Sequence, residues 1–140
     1  MNSPDHNFNK SIIDLGKLYF KKFTHRFLNK QLGKRWDYLI EHELDKWGKV
    51  DIWELWEVDS CKMPINEWFE DIDSFITYIN SKNVKDPLAL GLGHSKPYIK
   101  KILPLEIKDE LKVMLEGLII FKDADLVIAR NHDGDLLIFE

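Results

Sequence analysis

Between positions 10 and 32 the apolar residues recur every three or four places. Ile12, Leu15, Tyr19, Phe23 and Phe27 form the stripe, and Ile13 and Phe20 widen it. That spacing matches a helix with one buried face. It predicts a first helix over 10–32, stopped by Gly33. Trp36, Ile40, Leu44 and Trp47 form a second apolar side, predicting a helix over 35–47 that ends at Gly48. Residues 51–58 read as a short helix or as a strand. Branched and Trp residues favour a strand. Asp51 with Glu54 three places later resembles a capping box and favours the helix, which is the better fit. Ile52, Leu55 and Trp56 would then share a face.

Residues 64–81 carry the clearest helical pattern. Pro64 suits a first helical position. Ile65, Trp68, Phe69, Ile72, Phe75, Ile76 and Ile79 fall on one side, with Asn66, Glu67, Glu70, Ser74 and Thr77 opposite. After a turn at 84–87, Leu88 to Leu92 fits a short strand, and Gly91, Gly93 and Pro97 break regular structure. A further helix starts at Pro104 and ends before Gly117, with Ile107, Leu111, Met114 and Leu115 inward. Three apolar runs follow, at 118–121, 126–129 and 136–139. Asn131–Asp135 joins the last two as a hairpin loop, because Asp-Gly readily adopts positive φ. Unbroken apolar runs imply a covering layer of helices. The pattern therefore predicts the α+β class. It is a helix-rich single domain over 1–140, with a C-terminal antiparallel β-hairpin or three-stranded sheet, and with residues 1–9 flexible.

Composition narrows the class further. At 140 residues the chain is long enough to bury a core. Cys61 stands alone, so no internal disulfide forms, which fits a reducing compartment. It also lacks the surroundings of a catalytic thiolate. No run approaches the roughly 18 apolar residues of a membrane span. Met1 to Lys10 has no apolar signal-peptide core, so a cytoplasmic location is expected.

The net charge of −4 hides a partition. Residues 1–50 hold ten Lys/Arg against six Asp/Glu, a net of +4. Residues 51–73 hold eight acids against Lys62 alone, a net of −7. Blocks of one sign bear on partners and association rates rather than on fold.

Four candidate chemistries have plainer readings. Counted from Ala129, the residues Asn131, Asp133, Gly134, Leu136 and Glu140 fall on calcium-loop positions. Ala at the first position and strand-like flanks favour a plain hairpin turn. Gly91-Leu92-Gly93-His94-Ser95-Lys96 lacks the spacing of a phosphate loop or dinucleotide fingerprint. It reads as a glycine loop, although His94 could serve there as a general base. His6, His25, His42, His94 and His132 show no helical pairing and there is no Cys pair, so no metal and no cofactor is expected. No two carboxylates can be singled out as an acid–base pair.

Two surfaces remain. Lys10, Lys17, Lys21, Lys22, Arg26, Lys30, Lys34 and Arg35 lie off the first apolar stripe and could contact phosphates. The acidic block sets Glu54, Glu57, Asp59, Glu67, Glu70, Asp71 and Asp73 among Trp53, Trp56 and Trp68. Carboxylates beside aromatics suit a cationic protein. The charges steer encounter, and a Trp such as Trp53 supplies desolvated contact.

With the segments Asp51–Asp59 and Asn66–Asp73 in its middle and the strand pair around Asn131–Asp135 at its end, the chain resembles a bacterial immunity protein of the polymorphic-toxin or contact-dependent-inhibition kind. The resemblance implies a non-enzymatic cytosolic inhibitor that blocks a cognate toxin, often a nuclease, with an acidic surface that imitates the toxin's polyanionic substrate. The basic first third confines that imitation to the middle block. Trp53, Glu54, Glu57, Asp59, Glu67, Glu70, Asp71 and Asp73 are then the expected partner-binding residues. The alternatives are a nucleic-acid-associated protein using the basic first helix and a small enzyme with a site around His94 or His132.

Overall fold

The computed structural model describes residues 10–42, 44–57, 72–92 and 97–140. The expected flexible start at 1–9, Cys61, the first half of the 64–81 helix and the His94 loop lie outside them.

The first stripe forms a helix, but it breaks earlier than its periodicity implies. Helix α1 spans Lys10–Phe27 and helix α2 spans Lys30–Ile40. The boundary is Asn29, not Gly33. Asn29 is extended (φ −63, ψ 161), and its side chain accepts from the Leu32 amide at 2.9 Å. A short polar side chain that captures a free amide starts a new helix. Gly33 lies inside α2, buried against α1, where an added Cβ would stand 3.5 Å from the Thr24 carbonyl oxygen.

The second predicted helix also divides. After α2 ends at Ile40, the chain forms 3-10 helices at Leu44–Lys49 and Ile52–Trp56. Trp47 is fully buried, and its indole N–H donates to the Ile40 carbonyl at 3.0 Å, satisfying one of the acceptors that a helix end leaves open. The favoured helical reading of 51–58 takes the tighter 3-10 form.

Helix α3 spans Ile72–Asn80 and buries Phe75 and Ile79. Helix α4 spans Ile107–Val113, preceded by a 3-10 turn at Pro104–Glu106. Ile107, Leu111 and Met114 are buried as expected, but Leu115 is 61% exposed. The helix has already ended: Met114 is extended (φ −69, ψ 121), so Leu115 leaves the apolar face.

The strands are β1 Leu88–Gly91, β2 Tyr98–Lys101, β3 Gly117–Ile120, β4 Val127–Arg130 and β5 Leu136–Phe139. All neighbours are antiparallel, in the order β2-β1-β3-β4-β5. The C-terminal three-stranded unit is thus the core of a five-stranded sheet. At one point the added hairpin demands glycine: Tyr98 lies over Gly91, where a Cβ would come within 2.2 Å of the ring.

Strand side chains alternate between two cores. Leu88, Leu90, Leu118, Ile120, Val127, Ala129, Leu137 and Phe139 join α1, α2 and the two 3-10 helices that follow. Ala89, Ile119, Ile128 and Ile138 join α3 and α4 on the opposite face. Helices cover both faces, which is why the strands read as unbroken apolar runs. Aromatics tie α1 to the β5 edge, with Phe23 and Phe27 packed at 5.3 and 5.5 Å from Phe139.

Candidate functional site

The 3-10 helix Ile52–Trp56 starts at Asp51, whose carboxylate accepts from the Trp53 amide at 3.2 Å. Ile52 and Leu55 anchor it in the core. That orientation leaves Trp53 and Trp56 half-buried at the surface. Their rings meet at 6.1 Å with a 53° tilt. Trp53 also meets the His132 ring edge-to-face, at 5.7 Å and 79°.

His132 comes from the β4–β5 turn, and Asn131 shapes that turn. The fully buried Asn131 side chain accepts from the amides of Asp133 (3.1 Å) and Asp135 (3.0 Å) and donates to the Asp135 carboxylate (3.2 Å). Gly134 supplies the left-handed residue at φ +90. Segment 129–140 is therefore a hairpin, with Ala129 buried inside β4. The turn holds His132 beside Asp133, Nε2 to Oδ1 at 3.5 Å. Asp51, Glu57, His132 and Asp133 are exposed around the tryptophan pair. The fold thus joins two segments about 80 residues apart in sequence into one aromatic surface with carboxylates at its rim.

The other predicted partner residues are distributed differently. Glu54 lies beside this surface and takes a two-point ion pair from Arg35. Asp73 lies on the opposite helical layer, where Lys108 donates to it at 2.6 Å and holds its carboxyl below the usual range. The sheet separates Asp73 from Trp53. Asp59, Glu67, Glu70 and Asp71 lie outside the described residues.

Carboxylates from elsewhere in the chain answer several charges of the basic patch. Lys21 pairs with Glu41 at 3.0 Å, Lys22 with Asp123 at 2.5 Å and Arg35 with Glu54 at 2.6 Å. Arg26 donates to the Ala124 carbonyl at 2.8 Å and stands 3.8 Å from Asp125. Lys10, Lys30 and Lys34 stay exposed.

One constellation was not legible in the sequence. A cavity of about 530 Å³ between α1 and α2 is lined by Thr24, His25 and Asp37. His25 Nε2 lies 3.3 Å from one Asp37 oxygen, and the Thr24 hydroxyl donates to the other at 2.7 Å. The carboxylate stands between imidazole and hydroxyl. An activated nucleophile needs the imidazole in the middle, so this order does not deprotonate Thr24. Positions 24, 25 and 37 meet through the α1–α2 crossing, which no local motif announces.

Among the described residues, no group of three His, Cys, Asp or Glu could hold a metal ion. Among them too, no helix is long and apolar enough to cross a membrane. No protein-family model, no curated protein and no solved structure matches the chain.

Proposed function

We propose that this chain is a non-enzymatic immunity-type protein that binds a cationic toxin domain through the surface around Trp53, Trp56 and His132. One observation carries the reading. The Trp53–His132 contact fuses two acidic, aromatic segments into one patch at an end of the sheet. Half-buried Trp faces attract Arg and Lys side chains and supply the desolvated centre that binding energy requires. Asp51, Glu57 and Asp133 at the rim would attract a basic partner and speed its arrival. Glu54, held by Arg35, keeps the 3-10 segment in place more than it offers free charge. Asp73, on the far layer, falls outside this patch.

The reading requires a toxin gene next to the gene for this chain. Co-expression should protect cells from that toxin and give a complex on size exclusion. Trp53→Ala, and separately the pair Glu57→Lys and Asp133→Lys, should weaken the complex about tenfold or more. Equal killing with and without the protein would overturn the proposal. So would a complex indifferent to both sets of substitutions.

A further inference from the structure

The opposite end of the sheet carries a second feature, independent of the docking surface. There β1 begins, β2 ends, and β3 gives way to a 3-10 turn at Lys122–Ala124. The middle of α1, from Leu15 to Lys22, crosses this end and leaves a cavity of about 540 Å³. Small-molecule sites usually fall between roughly 300 and 1,000 Å³. The walls are apolar through Leu15, Leu88 and Ile102. Leu18 and Leu103 stand at its rim, 50% and 61% exposed.

Charge is distributed unevenly over these walls. Lys22, Lys101 and Lys122 face Asp86 and Asp123, a surplus of one positive charge. Lys22 is already committed to Asp123 at 2.5 Å, which holds that carboxyl below its usual range. Neither Lys101 nor Lys122 forms an ion pair with a described residue.

The backbone at the cavity is strained as well. Asp86 and Asp123 have left-handed φ of 52 and 61, uncommon without glycine. One helix holds both loops: the Tyr19 hydroxyl donates to the Asp86 carbonyl at 3.0 Å, and Lys22 grips Asp123. Non-glycine residues kept in such conformations cluster at ligand sites, where the surrounding structure maintains them.

We infer that this cavity binds a small amphiphilic monocarboxylate. The apolar tail lies along Leu15, Leu18 and Leu88, and the carboxylate meets Lys101 and Lys122. The apolar walls select the tail, and the single surplus positive charge selects a head with one negative charge.

The probe is sodium decanoate, titrated below its micelle concentration into the full chain at low salt and followed by amide NMR. Saturable shifts should centre on the amides of Lys22, Leu103 and Asp123. The double substitution Lys101→Glu and Lys122→Glu should weaken binding about tenfold or more. Both lysines are exposed, so the variant's circular dichroism should match the parent. Shifts that never saturate, shifts centred elsewhere, or equal affinity of parent and variant would each overturn the inference. None of these results depends on whether a toxin is bound at the other end.

Discussion

Arg35 on α2 and Glu54 on the 3-10 helix Ile52–Trp56 meet fork to fork, Nη1 to Oε1 at 3.0 Å and Nη2 to Oε2 at 2.6 Å. The Glu54 side chain is 16% exposed and the Arg35 side chain 58%. Planar two-point pairing is the strong form of this contact, but the exposed guanidinium is well screened. A double-mutant cycle with Arg35→Ala and Glu54→Ala should give a coupling of about 0.5–1 kcal/mol in denaturant unfolding. Zero coupling would mean that the pair does not hold the tryptophan segment against α2.

Asn131 organises the turn that presents His132. Asn131→Ala would strip the Asp133 and Asp135 amides of their acceptor. The expected loss is about 2 kcal/mol of stability, together with a change in Trp53 fluorescence as His132 shifts. Unchanged stability and spectrum would show that the turn holds its shape without that side chain.

Gly91 leaves room for the Tyr98 ring. In Gly91→Ala the new Cβ would press into Cε1 at 2.2 Å and Cδ1 at 2.4 Å. The ring cannot swing away freely, because its hydroxyl donates to the buried Glu110 at 2.7 Å. The substitution should cost about 1–3 kcal/mol, read as a lowered melting temperature. Adding Tyr98→Leu should recover part of the loss; no recovery would place the strain elsewhere.

Burial first, and then the bond to Glu110, raise the Tyr98 hydroxyl well above its ordinary pKa of 10.0. The folded chain therefore keeps this proton after the unfolded chain has released it. The resulting stability is complete below about pH 10 and declines as pH rises above it. Burial also raises the Tyr19 hydroxyl, and the bond to Glu140 raises that of Tyr78. Absorbance titration at high pH should therefore show Tyr98 ionising last, after these two. Tyr98→Phe should remove that last step and reduce the alkaline loss of stability. An unchanged titration in the variant would contradict this assignment.

Some elements were readable because their signals are local. Phe20, Phe23 and Phe27 carry a helical period, and Asp133-Gly134 carries a turn preference. The apolar runs containing Ile119, Ile128 and Ile138 could be buried only as strands covered on both faces. The break at Asn29 was harder to read, because helical periodicity continues across it. Only the backbone geometry lets that side chain cap a new helix. Strand β2 escaped notice because Tyr98-Ile99-Lys100-Lys101 is half-exposed at the sheet edge, where burial leaves little pattern.

The sequence by itself determined the α+β class, the C-terminal strands and the placement of most core residues. Those follow from periodicity and turn preference, which act over a few residues. Only the tertiary structure decided which charges answer one another. It paired Glu54 with Arg35, carried Asp73 to the far layer and set His132 against Trp53. Such contacts depend on how distant segments pack, and a hydrogen-bonded ion pair or ring contact exists only at separations of a few ångströms, which residue order does not encode.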